Sequence, residues 1–426
     1  MTNTGVLCAS DPMLPSRTAG VCTDMAPGLD DWFYKFERFG WREKTYELGL
    51  SHALFSSDHI DDGSKALLDV LDARMGSGSD APRVNRVYDI GCGNGVLGIC
   101  AADGLSAAEL ILEDRDALAV ALAVRNAERN ALECRTVPYA RPTGVGAGVE
   151  SDLIVCNVPA KAGEPVHHLM TDYALANLAP SGLLLLVVVN PIADTLAMHL
   201  ERRSARIERH TFRGHTVFAV EHTPDTGTVQ PPLPEAYRRD KRVALEFRGI
   251  AYEFTPTLGL GEFDGPSYTT AMLARLAVEC CADRPAVLYE PGAGHLPLIL
   301  SRLPDGSRPR SFLFACRNTL ARHALETLNT FSGVPYESEV CERPHELRRF
   351  VAPGALVVLP VVPEPHTPFI EELLGVAEAV SQAGGVLALA GASATVTRLE
   401  KRRLPLRIVR RAKSRGVRGL ILTLRD

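Results

Sequence analysis

The stretch RVYDIGCGNGVLGICAADG, residues 86–104, decides the fold. A short apolar run ends near Asp89, three glycines follow at alternate positions, and the chain then becomes helical in character. Glycine lets the backbone turn sharply and approach a ligand closely, and the start of a helix presents unpaired N–H groups. The stretch therefore predicts a strand, a glycine loop and a helix that form a cradle for a nucleotide-like ligand.

An acidic cluster follows the next predicted strand, at Glu113, Asp114 and Asp116. An acid in this position can accept hydrogen bonds from both hydroxyls of a ribose, and it would repel an additional phosphate. Two alternatives stay open at this point. One is a tight turn without a ligand, and the other is an NAD-binding unit, although its glycines are usually spaced G-x-G-x-x-G.

The chain contains this arrangement twice. YELGLSHALF at Tyr46, the glycine loop and LILEDRDALAVALAVRN follow one another in the first half, and YEFTPTLGLG at Tyr252, LYEPGAGHLPLIL and FLFACRNTLARHALETLN do so in the second. Such self-similarity indicates a duplicated unit. In each copy short apolar runs alternate with amphipathic helical patterns, which is typical of a parallel sheet covered by helices on both faces. The sequence predicts two doubly wound α/β units with ligands beyond the carboxyl ends of their strands.

A stretch rich in proline and threonine, HTPDTGTVQPPLPEA from His222, has no periodicity and indicates an interdomain linker. The start of the chain lacks both the basic residues and the long apolar run of a signal peptide, so we expect a loose leader there. The expected division is a leader at 1–30, a first domain at 31–222, a linker at 223–236 and a second domain at 237–426.

Composition excludes several classes of protein. The 426 residues are 46% apolar and 23% charged, and the longest apolar run, GLLLLVVV from Gly182, suits a buried strand rather than a membrane helix. The ten cysteines show no CxxC pair and no Cys/His spacing for zinc, so we expect reduced thiols, a cytoplasmic location and no metal. The net charge of -5 gives no global attraction to nucleic acid, so such affinity would need a local basic patch.

Three features together resemble the class I S-adenosylmethionine-dependent methyltransferases: the acid two residues before G-x-G-x-G, the segment EDRDALAVALAVRNAERN, and the turn DLIVCNVPAKAG. The resemblance is closest to the small-domain family of rRNA guanine-N2 methyltransferases, covers residues 45–222, and includes LFSSDHIDDGSKALLDVL ahead of the first strand. It implies two tandem Rossmann-like methyltransferase domains with seven-stranded, mostly parallel sheets, and S-adenosyl-L-methionine as the cofactor. Asp89 and the loop glycines would hold its methionyl part, and Asp114 its ribose. The full set implied to bind the cofactor is Asp89, Gly91, Cys92, Gly93, Asn94, Gly95, Asp114, Arg115 and Asn157.

The resemblance also implies a catalytic turn at Asn157, Val158 and Pro159. In the family, an asparagine and a neighbouring backbone carbonyl accept hydrogen bonds from the amine to be methylated, which directs its lone pair at the methyl group. The family turn reads Asn-Pro-Pro and then an aromatic or aliphatic residue, so this chain lacks one proline and has Ala160 in place of a ring. A base stacked on a ring gains about 1–3 kcal/mol. We therefore expect another ring, with Phe55 as the candidate; a phenylalanine in the core is the alternative.

Two further observations concern neighbouring segments. The third predicted strand and its loop, RTVPYARPTGVGAG from Arg135, lack the acid that touches adenine in many relatives. His167, His168 and His215 are accompanied by no carboxylate or cysteine pattern, so we expect solvated or packed histidines rather than metal ligands.

The second copy has lost the residues that would hold the cofactor. Alignment of the repeats places Glu290 opposite Asp89, Gly292 and Gly294 opposite Gly91 and Gly93, Leu296 opposite Gly95, Cys316 opposite Asp114, and Pro360 opposite Asn157. The leucine would enter the space that the cofactor needs, and both the ribose acid and the amine acceptor are missing. We expect a methyltransferase-like domain without catalysis, which recognises substrate or braces the first domain.

Two basic stretches could contact RNA phosphates, and a solvated surface is the alternative for both. The first stretch has arginines at 202, 203, 206, 209 and 213. The second is a patch made of Arg398, Lys401, Arg402, Arg403, Arg410 and Arg411.

The sequence thus predicts an S-adenosylmethionine-dependent N-methyltransferase that acts on a guanine exocyclic amine of ribosomal or other structured RNA, without membrane association. Two alternatives stay open. The missing ring at Ala160 favours a small-molecule or protein N-methyltransferase, and the duplication allows a non-catalytic RNA-associated scaffold that retains the cofactor.

Overall fold

The computed structural model describes residues 28–76, 83–145, 148–203, 206–221, 237–239, 241–327 and 329–424. Most of the predicted leader and all of the predicted linker lie outside the described residues. Within those ranges, no helix combines the length and the apolar character that crossing a bilayer requires.

The first half runs to Glu221 and begins with a 3-10 turn at Leu29–Trp32 and a hairpin of β1 (Lys35–Trp41) and β2 (Lys44–Leu50). Its remaining elements are α1 (Asp62–Met75), β3 (Arg86–Ile90), α2 (Val96–Gly104), β4 (Glu109–Asp114), α3 (Ala117–Arg129), β5 (Arg135–Ala140), β6 (Ser151–Asn157), α4 (Glu164–Ala176), β7 (Leu178–Val189), α5 (Asn190–Glu201), β8 (Arg206–Thr211) and β9 (His215–Glu221).

The second half starts at Tyr237 and repeats this order. Its elements are β10 (Val243–Phe247), β11 (Ile250–Phe254), α6 (Tyr268–Val278), β12 (Pro285–Tyr289), α7 (His295–Ser301), β13 (Ser311–Cys316), α8 (Thr319–Thr327), β14 (Tyr336–Val340), a 3-10 turn (Pro344–Phe350), β15 (Leu356–Val361), α9 (Phe369–Gln382), β16 (Val386–Ala392), α10 (Ser393–Glu400), β17 (Arg407–Ser414) and β18 (Val417–Thr423).

The two sheets have the same topology. Their strand orders are β5-β4-β3-β6-β7-β9-β8 and β14-β13-β12-β15-β16-β18-β17, and all neighbours are parallel except those of β9 and β18. The predicted fold of two seven-stranded, mostly parallel sheets in tandem is therefore confirmed. In the first sheet the strand order reverses between the parallel strands β3 and β6, so the crevice beyond their carboxyl ends is the expected ligand position.

The apolar run from Gly182 lies in β7, an interior strand of the first sheet, as predicted. Leu184 to Val188 are buried on both faces of the sheet, which explains why the run is continuous rather than alternating. Helices α1, α2 and α3 pack on one face of the sheet, and helices α4 and α5 pack on the other. This confirms the doubly wound arrangement.

The two halves share their cores. The apolar cluster beneath α4 and α5 continues into the face of the second sheet that α6 and α7 cover. Trp32 and two leucines of α3 belong to the cluster around α9, and the Trp32 Nε1 donates to Glu372 Oε1 at 2.9 Å. The burial of apolar surface therefore stabilises the two halves together.

The backbone corrects the expected alignment of the two glycine loops. α2 begins after Gly95 and α7 after Gly294, and both glycines have left-handed backbones, with φ of 83° and 108°. Glu290, at φ 45°, therefore stands opposite Gly91 and not opposite Asp89. Leu296 lies inside α7 at 2% exposure and does not enter the loop. The sequence alignment was wrong because it matched the first glycines of the two loops, whereas the start of the helix fixes the match at the last ones.

The same comparison of the two halves agrees with the other two residue matches that the sequence alignment predicted. The strand registers of the two sheets place Cys316 opposite Asp114 and Pro360 opposite Asn157.

Candidate active site

The glycine loop between β3 and α2 has a left-handed backbone at three positions. Gly91, Gly93 and Gly95 have φ of 74°, 53° and 83°. A Cβ added to Gly93 would meet no atom within 4 Å, so the backbone there borders open space. The N–H groups of Gly91 and Cys92 donate to the Glu113 carbonyl at 2.8 and 2.9 Å, which ties the loop to the end of β4.

Asp89 supplies a buried carboxylate beneath this loop. It is 1% exposed, and its Oδ2 accepts the Gly98 N–H at 2.8 Å. Its Oδ1 is buried and has no partner among the described residues. Burial raises the pKa of Asp89 to about 7. Because an unpaired buried oxygen is unfavourable, a ligand group that donates a hydrogen bond, such as an ammonium, fits this position.

Asp114, at the end of β4, holds the loop from the other side. Its Oδ2 accepts the Gly93 N–H at 3.0 Å, and its Oδ1 accepts the Asp116 N–H at 2.9 Å. Burial and then the negative charge of Asp116 raise the pKa of Asp114 to about 6. The carboxylate lies next to the open space at Gly93.

The other two acids of the predicted cluster have structural partners. Glu113 is fully buried and accepts hydrogen bonds from Tyr88 Oη at 2.6 Å and Arg141 Nε at 2.5 Å. Burial is the largest cause that raises the pKa of Glu113, although Arg141 and Tyr88 oppose it. Arg141 follows β5, and its side chain turns inward to Glu113 and to Tyr173 Oη, which lies 3.2 Å from Nη2. Asp116 caps α3 by accepting the Leu118 N–H at 3.0 Å.

Asn157 ends β6, the strand next to β3, and its amide is anchored. Its Nδ2 donates to Asp61 Oδ2 at 2.9 Å and to Ser64 Oγ at 3.2 Å, both at the start of α1. Asp61 is the N-cap of α1 and also accepts the Ser64 N–H at 3.0 Å. No donor of the described chain is paired with the Asn157 Oδ1, so this oxygen can accept a hydrogen bond from a substrate.

The carbonyl groups after Asn157 differ in availability. The Pro159 carbonyl accepts the Ala162 N–H and contacts His167 Nε2, each at 3.0 Å. Val158 is buried and its N–H donates to the Val187 carbonyl at 3.0 Å, while no described hydrogen bond uses its own carbonyl. The Val158 carbonyl is therefore a candidate for a second acceptor beside Asn157.

The sequence-predicted residues thus come together on three neighbouring strands. Asp89 pairs with Val155 across β3 and β6, which brings the glycine loop next to Asn157 at the reversal point of the sheet. Cys92 and Asn94 are buried, and the Asn94 carbonyl accepts the Asn126 Nδ2 at 2.8 Å. Arg115 is different, because its side chain turns to the second half and its Nη1 donates to the Gly259 carbonyl at 2.8 Å.

Phe55 lies in the segment before α1 and is 74% exposed. This exposure excludes the core alternative considered for Phe55. Ala160 is exposed as well.

The histidines near the site are packed against one another. The rings of His168 and His199 stack at 3.9 Å, and His199 Nε2 lies 2.8 Å from Asp172 Oδ1. The described part of the chain contains no group of three residues arranged to hold a metal.

Both basic stretches are engaged in ion pairs over much of their length. In the first half, Arg203, Arg206 and Arg209 pair with Asp172, Glu221 and Asp194. In the predicted patch, Arg402, Arg410 and Arg411 pair with Glu371, Glu279 and Glu400. No ion pair is described for the patch members Arg398, Lys401 and Arg403.

Three residues of the site escaped the sequence analysis. Asp61 and Ser64 hold the Asn157 amide, and buried Asn126 of α3 joins Gly49 of β2 to Asn94 of the loop through its own amide. The sequence DDGS at the start of a helical pattern could have indicated Asp61 as an N-cap. An asparagine on the apolar stripe of α3 could have indicated Asn126, because a buried amide needs partners.

Comparison with known proteins agrees with this geometry. Residues 46–212 match the methyltransferase small domain family. The ribosomal RNA small subunit methyltransferase C of Aliivibrio salmonicida is 30% identical over 174 residues, which are 39% of this chain and 48% of that protein. The ribosomal RNA large subunit methyltransferase G of Shewanella loihica is 28% identical over 167 residues, which are 34% of this chain and 38% of that protein. The chain thus matches about half or less of the length of these curated relatives.

A solved structure extends the similarity in fold to both halves. The T. thermophilus 16S rRNA N2 methyltransferase in complex with AdoMet and guanosine covers 93% of this chain and 100% of its own, with a TM-score of 0.63 at 15% identity. At this identity the match shows the shared fold. In its sequence, the segment 46–212 of this chain is therefore similar to the methyltransferase small domain family.

Proposed function

We propose that the first half binds S-adenosyl-L-methionine and transfers a methyl group to the exocyclic N2 amine of a guanine in ribosomal or other structured RNA. One observation carries the proposal. The anchored acceptor Asn157 lies on the strand next to the open glycine loop and the unpaired carboxylate oxygen of Asp89.

The residues of the cradle fit this donor. Asp89 would accept a hydrogen bond from its ammonium group through the free Oδ1, and the backbone at Gly91 and Gly93 leaves room for its chain. Asp114 would accept hydrogen bonds from its ribose hydroxyls. When bound, the sulfonium supplies an activated methyl group, so no strong base is required of the protein.

The acceptor side fits a primary amine attached to a base. Asn157 Oδ1 and the Val158 carbonyl are two acceptors for its two N–H bonds, and Asp61 holds the Asn157 amide in one orientation. This arrangement orients the nitrogen lone pair and restricts its motion, which is the main contribution a protein can make to such a transfer. The two relatives are ribosomal RNA methyltransferases, which supports ribosomal RNA as the substrate class, and exposed Phe55 is the proposed stacking ring.

We also propose that Arg398, Lys401 and Arg403 contribute to RNA binding, because these patch members lack a described ion pair. Replacing all three with glutamine should lower RNA affinity about threefold to tenfold and reduce its salt dependence. The matched control replaces Arg402, Arg410 and Arg411, whose charges are already balanced. Filter binding at several salt concentrations measures both variants. Equal losses in the two variants would contradict the assignment.

The eight cysteines of the described residues are free thiols, which supports the proposed cytoplasmic location.

Calorimetry with S-adenosylmethionine, followed by labelled-methyl transfer to total RNA, protein extract and metabolites, tests the proposed function. Expected results are one donor per chain and label in RNA, recovered as N2-methylguanosine. Label in protein or metabolites would instead support a small-molecule or protein N-methyltransferase. Donor and RNA binding without transfer would support the scaffold.

A further inference from the structure

The second half binds the acidic loop of the donor site, which is the loop of Asp114 and Asp116 between β4 and α3. Arg317, in the loop after β13, donates from Nε to Asp116 Oδ1 at 2.7 Å and from Nη2 to Asp116 Oδ2 at 2.6 Å. The Nη2 also donates to the Ala53 carbonyl at 2.8 Å. The guanidinium is 14% exposed, so this two-bond ion pair is largely shielded from water.

Backbone contacts fix the same loop. The Ala117 N–H donates to the Arg317 carbonyl at 3.0 Å, and the Thr319 N–H donates to the Arg115 carbonyl at 2.8 Å. Between these bonds Asp116 and Asn318 form an antiparallel bridge. The two loops occupy equivalent places in their halves, so they meet as a symmetric pair.

Asp116 connects this contact to the donor site. Its N–H donates to Asp114 Oδ1, and Asp114 Oδ2 accepts the Gly93 N–H. A continuous series of contacts therefore runs from Arg317 through Asp116 and Asp114 to the open part of the glycine loop. The bond of Arg317 to the Ala53 carbonyl also holds the segment that leads to Asp61.

The charges around Asp116 make Arg317 difficult to replace. Asp114 lies two residues away, and Glu364 Oε1 lies 3.7 Å from Arg317 Nη1. Glu290 adds a third negative charge near Asp116. Without the guanidinium, Asp116 would face other carboxylates with no paired cation, and the loop would move to separate them.

We infer that Arg317 of the second half is a positioning residue of the donor site, which neutralises Asp116 and so holds Asp114 in place for the ribose. The inference rests on the proposed function. It gives the second half a defined part in donor binding.

The test uses the full chain and S-adenosylhomocysteine as the probe in calorimetry. Arg317→Met should raise the Kd about tenfold, because Asp116 is left without its cation, while kcat at saturating donor stays within about twofold. Adding Asp116→Asn to Arg317→Met should recover most of that loss, since asparagine keeps the helix cap and removes the unpaired charge. A role in folding alone would lower the free energy of unfolding of Arg317→Met and leave the Kd of its folded protein unchanged.

Trp32→Phe is the matched control. It removes another hydrogen bond between the halves, from Trp32 Nε1 to Glu372 Oε1, without touching the acidic loop. We expect an unchanged Kd for the probe. An equal weakening by Trp32→Phe and Arg317→Met would overturn the inference, because it would make the second half a general brace.

Arg317→Lys covers the case in which Arg317→Met does not fold. Lysine keeps the charge but lacks the planar fork, so we expect a rise in Kd of about threefold. A wild-type Kd in the folded Arg317 variants, or no rescue by Asp116→Asn, overturns the inference alone. A wild-type chain that does not bind the probe overturns the proposed function together with it.

Discussion

The two glycine loops of this molecule have similar backbone conformations, but only the first leaves space for a ligand. In the first half, Gly91 leaves the cradle open and Asp114 binds the Asp116 N–H. In the second half, Glu290 stands at the position of Gly91, and its carboxylate accepts the N–H groups of Arg317 and Asn318. A side chain of the loop itself thus takes the place that a donor would need. The comparison shows that the fold can keep a ligand loop while internal hydrogen bonds remove its site.

The first residue of the helix that follows each glycine loop also differs between the two halves. His295 opens α7, where Val96 opens α2. Its Nδ1 lies 3.0 Å from Tyr252 Oη, and its Nε2 lies 2.8 Å from the Glu262 carbonyl. The second loop is therefore fixed by side-chain hydrogen bonds, whereas the first is fixed by its backbone and by Asp114.

Placing a glutamate at position 91, to match Glu290 of the second loop, should have the largest effect on donor affinity. Gly91→Glu should reduce affinity for S-adenosylhomocysteine more than about 100-fold, because the carboxylate would occupy the donor position and bind nearby N–H groups. The free energy of unfolding should fall by only about 1–2 kcal/mol, the cost of a left-handed non-glycine residue. Calorimetry and denaturant titration measure the two quantities.

Gly91→Ala is the control for backbone strain. A Cβ at Gly91 would meet only the Met170 methyl group, at 3.9 Å, so we expect the same loss of stability and a much smaller loss of affinity. Retained donor binding in Gly91→Glu would show that the two loops differ for another reason.

The acceptor asparagine offers the next largest effect. Asn157→Ala should lower kcat about 100-fold, because the amine loses its orientation, and leave the donor Kd within about twofold. Asp61→Ala should lower kcat about tenfold, because the amide loses its anchor while its Oδ1 remains. Single-turnover transfer and calorimetry separate the two quantities. A parallel change in Kd and kcat would argue against the assigned role of Asn157.

The pH dependence of donor affinity tests Asp89, the buried acid beneath the first glycine loop, which has no counterpart beneath the second. Burial raises the pKa of Asp89 to about 7 in the free protein, and a cationic donor group needs the ionised form. Donor affinity should therefore fall about tenfold per pH unit below about 7. Asp89→Asn should bind weakly and keep only the fall below about pH 6 that comes from Asp114, whose pKa burial raises to about 6. Calorimetry between pH 5 and 8, the range of about two units below and one above the pKa, measures it.

The stability of the free protein should change in the opposite direction. The folded state binds the Asp89 proton more tightly than the unfolded chain, in which the carboxyl has its ordinary pKa of 3.8. This contribution to the free energy of unfolding is present at low pH and is lost as the pH rises toward about 7. Denaturant titrations of wild type and Asp89→Asn should diverge over that range.

Local patterns in the sequence were sufficient for the fold and for part of the site. The alternation of apolar runs with helical patterns predicted both sheets, and the continuous run in β7 identified an interior strand. Asp89 and Asn157 could be selected as candidates because each lies at or next to the end of a strand, and the carboxyl ends of neighbouring parallel strands meet at one edge. In these cases the information lies within a few residues along the chain.

The features that were missed depend on contacts between distant residues. The partner of Asp116 is Arg317, and the anchor of Asn157 is Asp61, far away along the chain. The alignment of the second loop failed because glycine spacing alone does not show where a helix begins. Glu290 with its left-handed backbone therefore became visible only in the structure.

Opening the second loop should have the smallest effect on donor binding. Glu290→Gly combined with Cys316→Asp restores the glycine and the ribose acid, yet Leu288 still stands opposite Asp89, and Pro360 opposite Asn157. Leu288 is fully buried, so no carboxylate would be available for an ammonium group. Calorimetry of this variant should register one donor per chain, as for the wild type. A second binding event would mean that Glu290 and Cys316 alone keep the second half closed, and that the buried acid beneath the loop is dispensable for binding the donor.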